Sequence, residues 1–325
     1  KRQRDYDLDS STLDDQSKIR SDVTGKGNYT EKFNYTVNIG GEKNAKVTII
    51  NSQVEYINSL LITGEGSYLK NTSFKFFGNV ESGIDDFIFE NNTMLNSYKW
   101  WDLSINGNNS FIFNNTLRNG SGGIAIHGSN SHIVSNNFLD FQFNLAYPSS
   151  YYKRGEGLIT LTNLSSNNTI TNNLFKNLED IHAINIFSSD DNLISYNNFT
   201  DSGQGWHTIR DRSGYRNNYN NNTFDRCSGD DYMTVPWYQS CMIFYFWSYP
   251  DDYRGGEHVV ENNTFNSYNS GVRFLSYQDN STIQNNNFDN GHHAIGLWNW
   301  PDGGNVAPSG IITVSYTHLR AHETL

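Results

Sequence analysis

The feature that most restricts this chain is a short pattern it repeats about ten times: apolar, any residue, Asn-Asn, any residue, apolar. It reads FENNTM at Phe89–Met94, IFNNTL at Ile112–Leu117, VSNNFL at Val134–Leu139 and ITNNLF at Ile170–Phe175. ISYNNF at Ile194–Phe199, YNNNTF at Tyr219–Phe224, VENNTF at Val260–Phe265 and IQNNNF at Ile283–Phe288 continue it, after degenerate copies at Ile49–Val54 and Leu69–Phe74. The fourth position falls at 52, 72, 92, 115, 137, 173, 197, 222, 263 and 286. Most intervals are therefore roughly 20–25 residues, and the two longer ones, 137 to 173 and 222 to 263, are insertions into a fixed period.

A second motif alternates within the period: GIAI at Gly123–Ile126, HAINI at His182–Ile186, GVRF at Gly271–Phe274 and HAIGL at His293–Leu297. Alternation with β-branched and aromatic residues means short strands. A repeat built of short strands, with no helical segment, predicts an all-β chain in which each repeat is one coil of a single right-handed parallel β-helix of about ten coils. Asparagine suits neither helix nor strand interiors. It does tolerate the left-handed backbone of a sharp bend. Stacked coils also place each amide above the next, so that donors and acceptors meet along the axis.

Composition agrees with a folded chain and narrows its partners. Hydrophobic residues reach 36% and charged residues only 18%, which excludes a disordered polyampholyte. A net charge of −11 argues against nucleic acid, and it would repel a polyanionic glycan unless a cation or a local basic patch intervened. No apolar run approaches the ~18 residues of a membrane span. A monomer is expected.

The recurring I-x-N-N-x-F with G-I-x-I resembles the right-handed parallel β-helix repeat family. That family includes pectate-lyase-like (pectin lyase-like) enzymes, adhesin-like surface proteins and the periplasmic factor that matures the copper site of nitrous oxide reductase. The resemblance covers about residues 45 to 300 and implies the fold far more than an activity. Residues 46–312 are expected to form the β-helix, and the charged span 1–45 a flexible lead-in or partial N-terminal cap. Residues 313–325 are expected to be non-native. Their sequence resembles translated sequencing-adapter DNA found on metagenomic reading frames; a short natural extension is the alternative. Because the chain begins at Lys1 and not Met, the natural start, together with any export signal, is expected to be missing or processed away.

Alternation places Ile105, Ile126, Leu161, Ile186 and Ile209 inward. Ser104, Ala125, Thr160, Asn185 and Thr208 would then form an outward strip with His127, Arg210 and Arg273. Aromatic residues gather in the segments leading into it: Trp100 and Trp101, then Tyr151 and Tyr152 in the first insertion, Trp206, and Trp237 in the second. Sugar rings stack on such side chains, so these six are the expected glycan-binding residues of an aromatic-walled strip. The alternative is that they only cover the coil's flank.

For chemistry, a glycosidase needs two carboxyl groups across the scissile bond, which Glu179, Asp180, Asp230 and Asp231 could supply. A lyase needs a base and cationic groups, which His182, His207, Arg210 and Lys153 could supply. Asp180, His182, His207 and Arg210 are therefore the catalytic candidates, against a plain packing role for each histidine. No metal site has ligand spacing and no cofactor is expected, apart from Ca2+ if the protein is a lyase. Cys227 and Cys241 are the only cysteines; a disulfide between them would contribute about 3 kcal/mol and imply an oxidising compartment, while free thiols are the alternative. The function expected is a secreted or cell-surface, adhesin-like protein that binds a polysaccharide. A polysaccharide lyase or glycoside hydrolase using the same cleft is the alternative, and a purely structural or maturation role a third.

Overall fold

A computed structural model of the protein describes residues 36–39, 48–64, 66–97, 101–120, 122–142, 157–162, 164–179, 181–202, 207–227, 240–245, 255–275, 278–298 and 308–314. Among these the chain is entirely β, a right-handed parallel solenoid of about nine turns. A coil carries three strands, as in Thr169–Thr171, Leu174–Glu179 and His182–Phe187. The first strands of successive coils stack into an 11-stranded parallel sheet. The second and third strands belong to a 19-stranded sheet, joined where they run on as single strands at Thr264–Leu275 and Asn287–Trp298.

Register follows from the repeat. Ile133, Ile170, Ile194, Tyr219, Val260 and Ile283 stand opposite one another across first strands, all at most 1% exposed. On the second strands Phe138, Phe175, Phe199, Phe224, Phe265 and Phe288 form a column of parallel rings with centroids 4.6–4.9 Å apart. The strand spacing sets that interval, so each ring stacks on the next. Phe138 occupies the slot of Phe175. The copy read as Val134–Leu139 is therefore framed one residue late: Asn136, not Asn137, is the equivalent of Asn173.

The two asparagines of the repeat divide the work. The first sits at positive φ, 54° at Asn91, 57° at Asn172 and 54° at Asn221, where only Gly and short polar residues go cheaply. The second is buried. The backbone N–H of Asn173 donates to Asn197 Oδ1 at 3.0 Å, and its Nδ2 donates to the same oxygen at 3.0 Å and to the Ile133 carbonyl at 2.9 Å. The same backbone N–H bond joins Asn92, Asn115, Asn136, Asn173, Asn197, Asn222, Asn263 and Asn286 in succession. Five residues ahead of these positions runs a second buried polar column, in which Ser131, Asn168 and Asn192 donate backbone N–H groups to the amide oxygens of Asn168, Asn192 and Asn217.

The sheets reach past the expected boundaries. Thr36–Ile39, inside the span read as lead-in, pair in parallel with Ser59–Ile62, and Ile312–Val314 pair with Thr282–Gln284. The rest of 1–45, and 315–325, lie outside the described residues. Cys227 and Cys241 are bonded, with Cα atoms 5.2 Å apart, tying the end of one second strand to the third strand that follows it.

The asparagine roles predict opposite outcomes for neighbouring substitutions. Asn197→Ala removes the acceptor of the buried Asn173 N–H and should cost about 1–3 kcal/mol. Asn172→Gly keeps an allowed backbone at positive φ and should change stability by less than about 1 kcal/mol. Urea denaturation of the two variants measures the difference.

Candidate functional site

Four of the segments rich in unusual residues fall at one point of the repeat. Positions 98–100, 143–156, 203–206 and 228–239 each fall between a second strand and the third strand after it. Asp180, Trp100, Tyr151, Tyr152, Trp206 and Trp237 lie outside the described residues, as do Lys153, Asp230 and Asp231. Trp101 is half-buried beside Asp102, whose carboxylate takes a hydrogen bond from the Ser97 hydroxyl. Glu179 ends its strand exposed.

The third strands put two outward columns side by side. One runs Glu81, Ser104, Ala125, Thr160, Asn185, Arg210, Ile243, Arg273 and Gly296. Two expectations change here. Thr208 does not belong to the column: Ile209 stands opposite Ile184, and Asp211 stands opposite Ile186. Matching isoleucine to isoleucine along the sequence slid this strand by two residues, because an aspartate holds an inward, normally apolar slot. Thr208 instead packs in the corner, its hydroxyl donating to the Ser202 carbonyl at 3.2 Å. Nor is the column open to solvent from Ser104 to Arg273, where Arg210 is 9% and Arg273 3% exposed.

The accessible column is the next one out; of its residues the sequence had singled out His127 alone, and in the same strip as Arg210. Thr162, Phe187, Arg212, Tyr245 and Leu275 are all partly exposed, and His127 more so. Phe187, Arg212 and Tyr245 are direct cross-strand neighbours. The Arg212 guanidinium carbon lies 4.8 Å from the centre of the Phe187 ring, and His127 Nδ1 is 2.6 Å from the Thr162 hydroxyl. The signal was present as the residue two beyond each outward position, but those six side chains share no residue type.

His182 and His207 are brought together as neighbours on consecutive coils. Their rings are parallel, with centroids 5.7 Å apart. His182 Nδ1 is 2.7 Å from the His207 carbonyl, so that nitrogen carries the proton and donates. His207 Nδ1 is 2.9 Å from the Ser240 hydroxyl. Burial first, and then the positive charge of Arg210, hold both imidazoles well below their ordinary pKa; His182 is pushed down further by His207, and His207 by Arg273. Arg210 Nε–H donates to Asn185 Oδ1 at 2.8 Å, and Arg273 Nε–H to the Ser270 hydroxyl at 2.9 Å. The three catalytic candidates that are described, His182, His207 and Arg210, thus form one cluster of neutral imidazoles beside cations.

Behind the same strand, inside the coil, Asp211 accepts from the Tyr219 hydroxyl at 2.6 Å, from Asn217 Nδ2 at 2.9 Å and from the Gly214 N–H at 2.9 Å. His258 Nδ1 lies 3.7 Å from it; burial lowers the imidazole pKa and Asp211 opposes that shift. This buried network satisfies a charge and lacks access to solvent. Among the described residues no group of three or more His, Cys, Asp or Glu is placed to hold a metal ion.

No protein-family model and no curated relative matches the sequence. Solved structures share the fold. The catalytic domain of a GH87 α-1,3-glucanase, in complex with tetrasaccharides, superposes with a TM-score of 0.56 at 13% identity, covering 98% of this chain and 68% of its own. A PL6 alginate lyase in complex with a trisaccharide gives a TM-score of 0.51 at 10% identity, covering 97% of this chain and 85% of its own. At such identities the likeness concerns the fold alone.

The depressed imidazoles set the direction of the acid response. Unfolding returns His182, His207 and His258 to about pKa 6.5, so below that pH the unfolded chain binds protons the folded one refuses. This contribution to stability is complete above about pH 6.5 and is lost as the pH falls. Urea midpoints should drop between about pH 7.5 and 5.5, and His207→Asn should flatten that slope.

Proposed function

We propose that this is a secreted or cell-surface β-helix protein that binds a polysaccharide along the outward face of its third strands, in the manner of an adhesin and without turnover. The observation that carries the reading is the accessible column from His127 through Phe187, Arg212 and Tyr245, which crosses consecutive coils as a continuous strip. Phe187 and Tyr245 are two coils apart, roughly 10 Å at the usual strand spacing. Extended sugar rings can stack on both while their hydroxyls meet the polar side chains between. Trp100, Trp101, Tyr151, Tyr152, Trp206 and Trp237 belong to the same proposal as further sugar-stacking residues. The Cys227–Cys241 bond fits an oxidising compartment. The saccharide complexes of proteins with this fold, a glucanase and an alginate lyase, make a glycan partner the natural first test.

A second reading, a polysaccharide lyase or glycoside hydrolase, is favoured by one feature: the neutral imidazoles of His182 and His207 beside Arg210. A neutral imidazole can take a proton, and a nearby guanidinium can stabilise the charge that follows. Asp180 would be the accompanying carboxyl group, and a Ca2+ ion would belong only to the lyase version.

One experiment separates the two. The protein is incubated with neutral and uronic polysaccharides while new reducing ends and the absorbance of unsaturated products are followed. Retention on an immobilised glycan without product, weakened about tenfold by Phe187→Ala and by Tyr245→Ala, is the result expected for binding. Turnover that disappears in His207→Ala or Asp180→Asn would replace it with the enzymatic reading.

A further inference from the structure

The outward face of the 11-stranded sheet departs from its own repeat at one coil. Each first strand turns its middle residue into the core, so the two residues flanking it face outward. Two of the later coils set polar residues there, Thr169 with Thr171 and Asn218 with Asn220. At Phe111–Phe113 both are phenylalanine, and their cross-strand neighbours include Ile88 and Val134. Ile88 and Phe111 are each 37% exposed, and Phe113 and Val134 are half-buried. The two phenylalanine rings have centroids 5.4 Å apart, and the exposed His132 ring is 6.1 Å from Phe111. Threonine and asparagine fill the same slots in the same sheet, so the fold itself does not ask for an aromatic pair here.

A second departure lies three coils on, at the corner that follows the first strand. Asn172 and Asn221 hold this corner at φ 57° and 54°, but the coil between them uses Tyr196, at φ 55° and 60% exposed. A bulky side chain is strained in left-handed backbone. No ring contact or side-chain hydrogen bond with a described residue offsets that strain. By strand pairing, Phe113 stands three coils from the residue before Tyr196, roughly 14 Å along the axis at the usual strand spacing.

Size and charge choose the occupant. The apolar patch spans three strands, about 10 Å, and two outward residues, about 7 Å. That is far short of the roughly 800 Å² each partner buries in a stable protein pair, and it suits a narrow chain. From Phe111 to Asn220 the outward residues of the five first strands include no Asp, Glu, Lys or Arg. In the coils before them Lys70 is bonded to Glu90 at 2.8 Å. The face therefore sets nothing against the repulsion of an anion by a chain of net charge −11. Aromatic rings beside His132, Thr169 and Thr171 suit an uncharged sugar, whose C–H face stacks while its hydroxyls bond to polar neighbours.

We infer that a neutral polysaccharide chain binds along the first-strand sheet, stacked on Phe111 and Phe113 at one end and on Tyr196 at the other. This site lies on a different sheet from the strip of third strands and does not depend on it.

The test titrates the full chain with neutral glucan and mannan oligosaccharides and with a uronic acid oligomer, following the heat of binding and the His132 ring signals by NMR. A neutral oligosaccharide should shift the His132 signals. It should bind there about tenfold more weakly in Phe111→Thr and in Phe113→Thr, which install the side chain that Thr169 and Thr171 already carry in this sheet. Tyr196→Asn should raise the urea midpoint by relieving strain, and should still weaken the same binding about threefold. The His132 response should persist in Phe187→Ala. Sugar binding that is unchanged in Phe111→Thr and Phe113→Thr but lost in Phe187→Ala overturns this site and leaves the third-strand strip standing. Tighter binding of the uronic acid oligomer at His132 also overturns it, as does self-association that Phe113→Thr abolishes with no His132 response to any sugar. Binding of no oligosaccharide at all overturns both readings.

Discussion

Everything in this structure depends on one buried contact repeated from coil to coil, the amide oxygen of an asparagine accepting two N–H groups from the coil beside it. A buried, unsatisfied amide costs on the order of 1–3 kcal/mol, so each member is tolerable only if the next stands directly above it. The column from Asn92 to Asn286 meets that condition at seven successive steps, with backbone N–H distances of 2.8–3.0 Å. The requirement locks coil spacing to strand spacing. Once that is set, the phenylalanine column stacks and the strands pair without further instruction.

The solenoid then acts as a ruler for side chains that are remote in sequence. His182 meets His207 across 25 residues, and Arg210 shares a column with Arg273. Burying cationic side chains is unfavourable unless they are hydrogen-bonded. Asn185, on the third strand of the preceding coil, and Ser270, on the strand of Arg273 itself, provide that bonding. One strand, His207–Arg212, carries chemistry on both sides of the wall: an imidazole and two guanidinium groups toward the outer face, and Asp211 within.

The repeat was legible because its physical demands are local and recur. Asn at the bend, an isoleucine before it and a phenylalanine after it are each required once per coil, so the period, strand lengths and fold could be read directly. The one frame slip, at Val134, arose where two asparagines and two apolar residues allowed either alignment; stacking of Phe138 on Phe175 decides it. The second polar column escaped notice because Ser, Asn and His share its positions, although it keeps a constant five-residue distance from the first. The bond between Cys227 and Cys241 needed the fold, since spacing alone also allowed free thiols.

The site was read less well for a physical reason. Facing on a strand follows from parity, but which residue faces which neighbour depends on register, and register between coils is set by backbone pairing that no single repeat contains. By itself the sequence determined that this chain coils, where it bends and what fills its core, because those are properties of each repeat. Only the tertiary structure decided that Asp211 takes an inward slot, that Arg210 and not Thr208 follows Asn185, and that the exposed strip is the column of Phe187, Arg212 and Tyr245. Those are relations between coils, and they come into being when the coils stack.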